Sequence, residues 1–120
     1  MSDTLFGIHG AALELRGVRM GLLSSNIANA ATPGYKARDI DFAAALKAST
    51  SGNNFGGSHL GQAIAGATRF RAPVMPALDG NTVEMATEQT AFAENAVGYS
   101  ATLSFIKDRV GMTMRALKGE

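Results

Sequence analysis

The sequence predicts an all-α fold in which two long terminal helices form a helical hairpin or coiled coil, joined by an irregular, glycine-rich central arm. Heptad-like patterns of apolar residues near each end of the chain predict the two helices. The 14 glycines among 120 residues, several of them between these patterns, predict the arm. We therefore divide a single structural domain into an N-terminal helix at residues 1–32, a corner and central arm at 33–80, and a C-terminal helix at 81–120.

The composition excludes several classes of function. Eleven basic and ten acidic residues give a formal net charge of +1, which provides no field to attract nucleic acid or anionic lipid. The absence of cysteine excludes disulfides, thiolate nucleophiles and cysteine-based metal sites. The first residues do not resemble a cleaved signal peptide, and no apolar run is long enough to span a membrane. We expect no binding to nucleic acid and no direct insertion into a membrane.

The first helix is predicted from about Thr4 to Ala31, because apolar residues recur there at steps of three and four. This seam contains Ile8, Ala11, Leu15, Val18, Leu22, Ser25 and Asn29. A neighbouring stripe has mostly small side chains: Gly10, Glu14, Gly17, Gly21, Ser24 and Ala28. Each interior glycine costs a helix roughly 1 kcal/mol relative to alanine. We predict that close packing against another helix offsets this cost; the alternative is that the glycines simply face solvent.

The first helix is predicted to end at a tight turn. Pro33 has no backbone N–H and disfavours the helical conformation at Thr32, while Pro33 and Gly34 fit the central positions of a type II turn. The turn is therefore fixed at one place in the chain.

Two asparagines precede this turn. Asn26 and Asn29 are three residues apart, so their amides lie on one side of the last helical turn. There they can bond the free carbonyls of the helix end or the returning loop. Tyr35, just beyond the turn, is predicted to be an apolar anchor for this corner.

The corner lies within a longer motif. The motif reads Asn26-Ile27-Ala28-Asn29, two further residues, Thr32-Pro33-Gly34-Tyr35, and then Lys36-Ala37-Arg38-Asp39-Ile40-Asp41-Phe42. It resembles the signature of bacterial flagellar basal-body rod and hook proteins, with the subunits of the proximal rod the most similar. Ala31 departs from the pattern, since relatives usually carry a polar residue there.

The resemblance implies a structural subunit of the flagellar proximal rod that is required for flagellum-dependent motility. It implies export from the cytoplasm to the periplasmic rod without a cleaved signal peptide. The implied partners are other copies of the chain, other rod subunits, and the basal adaptor subunit and export gate at the base of the rod.

A short helix is predicted after the corner, from Asp39 to Ala48, with Asp39 or Asp41 as its cap. Phe42 and Leu46 are spaced i and i+4, which places them on one face. The pair is similar to the short Phe-x-x-x-hydrophobic element that rod and hook subunits present to the export gate. The alternative is that both residues pack against the long helices.

The rest of the arm is predicted to be irregular. Residues 49–57 are rich in Ser, Gly and Asn, which favours a flexible loop. Residues 69–74 alternate in apolar character, and Pro73 and Pro76 limit this extended segment to an edge position. It can pair with a neighbouring subunit or lie along the helices of its own chain.

The second long helix is predicted to begin near Thr82, after a turn at Asp79-Gly80, because Asn81 and Glu84 have the spacing of a capping box. Gly119 is expected to end it. Its seam is the most regular pattern in the chain: Met85, Gln89, Phe92, Ala96, Tyr99, Leu103, Ile106, Val110, Thr113 and Leu117.

No group of residues predicts catalysis or cofactor binding. His9 and His59 are the only histidines and have no ligand partners at metal-site spacing, and paired acids such as Asp39 and Asp41 more often cap helices. We therefore predict no enzyme, no cofactor and no metal. Two helices cannot cover both their seam and the small-residue stripe, so we predict assembly with neighbouring chains.

The candidate assembly residues lie at the corner and in the two seams. They are Asn26, Asn29, Thr32, Pro33, Gly34 and Tyr35 at the corner, with Leu15, Leu22, Tyr99, Leu103, Ile106 and Val110 in the seams. The seams alone are equally compatible with a soluble cytoplasmic coiled-coil adaptor or an export-chaperone-like dimer.

Overall fold

The computed structural model describes residues 6–50, 57–73 and 75–119, with side chains in the second range from Leu60 onward. The molecule is elongated, with principal extents of 64 × 27 × 18 Å. Its elements in chain order are α1 (Ile8–Ala28), β1 (Arg38–Ile40), α2 (Phe42–Ser49), α3 (Gly57–Ala67), β2 (Thr68–Phe70) and α4 (Met85–Lys118).

The two long helices, α1 and α4, form an antiparallel pair. The Asn26 side chain at the end of α1 bonds Glu88 near the start of α4, and the Asn95 side chain bonds the Arg16 carbonyl at 2.8 Å. Further along, the rings of His9 and Phe105 lie 5.7 Å apart. The predicted helical hairpin is therefore present.

The opposite side of α1 packs against a layer made of α2 and α3. Leu15 lies at the centre of this contact with no exposed surface. The buried members of this core are Ala11, Leu15, Ile40, Ala45, Leu60 and Ala67, with Val18, Leu22, Phe42, Leu46 and Ile64 packed against them. Thus α1 lies between α4 and the central arm, and the arm contributes much of the core.

The central arm contains a small antiparallel sheet, which corrects the all-α prediction. β1 pairs with β2 in the register Arg38↔Phe70, Asp39↔Arg69 and Ile40↔Thr68. The Arg71 amide donates to the Ala37 carbonyl at 2.8 Å just beyond the paired strands. The predicted extended segment therefore begins slightly earlier, at Thr68, and pairs within its own chain.

The helices of the arm also differ from prediction. α2 begins at Phe42 and not at Asp39, because Asp39 belongs to β1. Of the two predicted caps, Asp41 is the N-cap. Its carboxylate accepts from the Ala44 amide at 3.1 Å.

A further helix, α3, was not predicted. Its apolar residues Leu60, Ala63, Ile64 and Ala67 have the i, i+3, i+4, i+7 spacing of a helix face. The glycines around them obscured this signal. Of the predicted flexible loop at 49–57, residues 51–56 lie outside the described part of the chain.

The start of the second long helix differs from prediction, and the predicted start of the first cannot be compared. α1 runs from Ile8 to Ala28, after Gly7 with a φ of +55°; the predicted start at Thr4 lies outside the described residues. α4 begins at Met85 and not near Thr82, and Glu84 makes no side-chain cap. Its end is as predicted, because Gly119 follows it with a left-handed φ of +73°.

None of the helices in the described part of the chain combines the length and apolar character needed to cross a membrane.

Candidate assembly site

The turn at the corner has the predicted form. The Tyr35 amide donates to the Thr32 carbonyl at 3.2 Å, and Gly34 has a φ of +73°, as the third position of a type II turn requires. The Gly34 amide also donates to the Asp79 carbonyl at 2.8 Å. Residues 31–34 are exposed, so the structure places the predicted corner residues Thr32, Pro33 and Gly34 at the surface.

Asn29 closes the end of α1, as predicted. Its side-chain nitrogen donates to the Ser25 carbonyl at 2.8 Å, and its side-chain oxygen accepts from the Thr32 hydroxyl at 3.1 Å. Free carbonyls at a helix end require such partners.

Asn26 has a larger role than predicted. Its side-chain nitrogen donates to the Arg38 carbonyl at 2.7 Å and to Glu88 Oε2 at 2.9 Å. Its side-chain oxygen accepts from the Arg38 amide at 3.1 Å. Asn26 is fully buried, so this single amide holds α1, β1 and α4 together.

Tyr35 is half-buried at the corner, and its hydroxyl forms part of its attachment. The hydroxyl lies 3.0 Å from Ser25 Oγ and 3.5 Å from Asn26 Oδ1. The predicted anchor is therefore polar at its tip as well as apolar along its ring.

Asn81 caps α1 from a distant part of the chain. Its side-chain nitrogen lies 2.8–3.0 Å from the carbonyls of Asn29, Ala30 and Thr32. Its side-chain oxygen accepts from the Val83 amide at 2.7 Å. The predicted capping box at the start of α4 is wrong, because these contacts use the Asn81 side chain at the corner.

The segment before α4 is bonded to the segment after the corner. The Thr82 amide donates to the Tyr35 carbonyl at 2.9 Å, and the Thr82 hydroxyl accepts from the Ala37 amide at 2.7 Å. Lys36 Nζ donates to the Gly80 carbonyl at 2.6 Å. The start of α4 is thereby fixed to the end of α1.

Four charged side chains form a network behind this corner. Arg19 binds Asp39 through two hydrogen bonds of 2.8 and 3.0 Å. Arg71 donates to Asp39 Oδ2 at 2.8 Å and also pairs with Glu88. Glu88 is fully buried, and the other three side chains are 18–21% exposed. Two cations and two carboxylates balance in charge and join α1, β1, the residue after β2, and α4.

The network changes the proton affinity of two of its members. Burial raises the pKa of Asp39, but hydrogen bonds from Arg19, the Ile40 amide and Arg71, with the Arg19 charge, outweigh burial and leave the pKa below its ordinary value. The hydrogen bond to Asp39 raises the pKa of Arg19 above its ordinary value. Asp39 is therefore held as a carboxylate.

Arg16 connects α1 to α2 on the other side of the pair. Its guanidinium carbon lies 4.2 Å from the centre of the Phe42 ring, a cation–π arrangement. A side chain at Gly98 would meet Arg16 Nη1 at 2.5 Å, so the glycine makes room for the arginine.

Phe42 and Leu46, the predicted export element, are half-buried against the core.

The contact face of α4 is offset from the predicted seam. The buried residues of α4 are polar, namely Glu88, Asn95 and Thr102, spaced by seven. Among the predicted seam residues, Tyr99, Leu103 and Ile106 are half-buried, and Val110 is 37% exposed. The structure thus centres the helix contact on polar side chains and leaves apolar ones at its margin.

On the α1 side, Leu15 is fully buried and Leu22 is half-buried, but both pack toward α2 and α3. The small-residue stripe is exposed from Glu14 to Ala28. Within this chain its glycines face solvent, which is the second of the two alternatives given for them.

Several large apolar side chains of α4 remain at the surface. Their exposures are Val97 71%, Phe105 57%, Met112 62%, Met114 49% and Leu117 82%. No group of three His, Cys, Asp or Glu residues within the described ranges is arranged to hold a metal ion. The exposed apolar side chains of α4, together with the hydrogen-bonded corner, form a surface suited to contact with other chains.

Comparisons with known proteins give relatives along nearly the whole chain. Residues 8–36 match the family model described as "Flagella basal body rod protein". The chain is 51% identical to flagellar basal body rod protein FlgB of Cereibacter sphaeroides, over 95% of this chain and 94% of the relative. It is 40% identical to FlgB of Aeromonas hydrophila, over 98% and 96%, and 40% identical to FlgB of Escherichia coli, over 97% and 94%.

Replacing Glu88 with alanine is expected to destabilise the fold by about 3–5 kcal/mol, because Arg71 would keep a buried charge without one of its two partners. Urea unfolding of the purified protein measures this. Asp108→Ala, at an exposed acid twenty residues further along α4, is the matched control and is expected to change stability by less than about 0.5 kcal/mol. Equal effects of the two changes would contradict a structural role for the buried network.

Asp39→Asn is expected to produce a stability loss that depends on pH. Because the pKa of Asp39 is lower in the folded than in the unfolded chain, its carboxylate stabilises the fold above about pH 4, and this contribution is lost as the pH falls through the folded-state pKa. The difference in unfolding free energy between wild type and variant, roughly 1–3 kcal/mol at pH 7, should shrink below about pH 4. Urea unfolding across pH 2–7 measures it, and a constant difference would show that the charge of Asp39 is not responsible.

Proposed function

The chain belongs to the flagellar basal body rod protein family, and on that premise we propose that it enters the rod by packing the exposed apolar margin of α4 and the Thr32–Tyr35 corner against neighbouring subunits. The chain is a structural subunit of the proximal rod of the flagellar basal body and is not an enzyme. It serves flagellum-dependent motility as part of that rod.

The observation that carries the proposal is the exposure of large apolar side chains along α4. The α1–α4 contact buries Glu88, Asn95 and Thr102, while Phe105, Met112 and Leu117 are 57%, 62% and 82% exposed. An apolar margin of this kind favours further association. The rigid corner, held by Asn26 and Asn81, fixes the angle at which this margin is presented.

The proposed partners are other copies of the chain and other rod subunits, with the basal adaptor subunit and the export gate at the base of the rod. Contacts between different surfaces of successive subunits generate a helical array when they do not close into a ring. An elongated molecule of 64 Å with its apolar margin along one helix suits such an array. We further propose that the subunit reaches the periplasmic rod by export from the cytoplasm without a cleaved signal peptide.

The alternative of a cytoplasmic adaptor or export-chaperone-like dimer rested on the helix seams alone. The relatives along nearly the whole chain are rod proteins, and this favours the rod subunit over the alternative.

Val110→Glu is expected to abolish or strongly reduce swimming in a strain that lacks the native gene copy, because it places a charge on the margin that neighbours cover. Because Val110 is 37% exposed and also lines a cavity with Phe6 of its own chain, circular dichroism of the purified variant is measured alongside swimming, and we expect the helical signal to be kept. Lys47→Glu, an exposed change on α2, is the control and should swim normally. Normal swimming with a folded Val110→Glu protein would contradict the proposed assembly surface.

We also propose that Phe42 and Leu46 serve as an export element before the chain folds. Replacing both with alanine should lower the exported amount more than the intracellular amount, measured by immunoblotting of the two fractions. Because both residues also pack on the core, Ile64→Ala is the matched control: it weakens the same core without touching the element. If the control lowers export equally, the effect is one of stability and the export role is wrong.

A further inference from the structure

Arg16 is a half-buried cation without a carboxylate partner. Three arginines of the described chain are half-buried, and two of them, Arg19 and Arg71, bind a carboxylate at 2.8 Å. No acid among the described residues forms an ion pair with Arg16. Its guanidinium lies over the Phe42 ring at 4.2 Å, and such a cation–π contact replaces only part of the hydration that the charge loses.

Two buried polar atoms at the same place are also unpaired. Arg16 Nε and Asn95 Oδ1 are buried and have no hydrogen-bond partner within the described ranges. The two residues are in contact, because Asn95 Nδ2 donates to the Arg16 carbonyl at 2.8 Å, and Asn95 is 1% exposed. Buried polar groups in native proteins are almost always paired. A carboxylate from outside the chain supplies both an acceptor for Arg16 Nε and the missing negative charge.

The opposite face of α1 carries the stripe of exposed small side chains, with a single charge on it. Gly17, Gly21, Ser24 and Ala28 are exposed, as is Glu14 at the start of the exposed part. A Cβ at Gly21 would meet nothing within 4 Å, so another chain can approach the helix backbone closely here. Glu14 forms no ion pair with any described residue.

Glu14 and Arg16 point away from each other at nearly the same height on α1. Successive residues of a helix turn by about 100° and rise by about 1.5 Å, so the two side chains are about 160° apart around the axis and about 3 Å apart along it. Residues at this spacing do not face each other within one helix. They do face each other when two copies lie side by side in the same orientation.

We propose that the small-residue stripe of α1 docks beside Arg16 of a second copy lying alongside, where its Glu14 carboxylate binds the Arg16 guanidinium. The charges are complementary, since Glu14 is the only charge on the stripe and Arg16 is the half-buried cation without a partner. A water held by this carboxylate supplies the donor that Asn95 Oδ1 needs. The contact joins different surfaces of the two copies, so it repeats around an axis. The inference rests on the proposed function and adds a lateral subunit contact to it.

Cross-linking tests this contact directly. Arg16→Lys keeps the charge and introduces an amine, and a carbodiimide joins a carboxylate to an amine only where the two are in contact. Basal bodies from cells that carry this variant are treated with the carbodiimide, separated on a gel and digested for mass spectrometry. The expected result is a dimer band that contains a linkage between Glu14 and the new amine at position 16. Glu14→Gln should remove this band, whereas Asp108→Asn, at another exposed acid, should leave it.

Charge reversal tests the same pair in cells. Arg16→Glu places two carboxylates together and should lower the amount of the chain in isolated rods by about tenfold or more. Glu14→Arg should act in the same direction, and the double variant, which exchanges the two charges, should recover most of the loss. Lys47→Glu is the control that should incorporate normally. Circular dichroism shows whether each purified variant keeps its helices; for a variant that does not, the cross-link from Arg16→Lys decides.

Three outcomes would overturn the inference: rods that contain the Arg16→Lys chain but give no linkage at Glu14; a linkage from position 16 to another rod protein only; or folded single charge reversals that incorporate normally. In each of these the proposed function stands. If the unmodified chain does not enter the rod at all, the proposed function itself is wrong.

Discussion

The structure depends on one buried carboxylate and its two partners. Glu88 is fully buried at the start of α4, where it accepts from Asn26 of α1 and pairs with Arg71. Arg71 in turn binds Asp39 of β1. A buried charge without partners is strongly unfavourable, so α1, the arm and α4 must be in place together. The network thereby makes the corner a cooperative unit rather than a flexible joint.

This constraint explains why α1 and α4 meet through polar side chains. Asn95 bonds the Arg16 carbonyl, and Thr102 lies on the same stripe as Glu88. Hydrogen bonds require particular atoms to face each other, so they fix the register of the two helices in a way that apolar contacts alone do not. Tyr99, Leu103 and Ile106 of the predicted seam are consequently half-buried at the side of this polar contact.

The sequence predicted the parts of this structure that local chemistry determines. Pro33 and Gly34 specify a turn, Asn29 closes a helix end and Gly119 ends α4, and each of these follows from backbone geometry alone. It did not predict the β1–β2 pairing, because three-residue strands have no measurable periodicity. Nor did it predict the position of Asn81, whose partners at Asn29 and Thr32 are about fifty residues away along the chain.

The interior position of Glu88 was missed for a related physical reason. Periodicity treats every charged residue as facing solvent, so the predicted seam contains Gln89 and not Glu88. Only the folded chain shows that Arg71 and Asn26 converge on one carboxylate. The same rule holds at the basic end of α4, where Arg109, Arg115 and Lys118 are exposed. Between them, Val110 and Met114 line a cavity with Phe6 of the same chain. On the assembly that we propose, stability and assembly use different parts of one helix: buried polar residues fix it within the chain, and exposed apolar residues contact its neighbours.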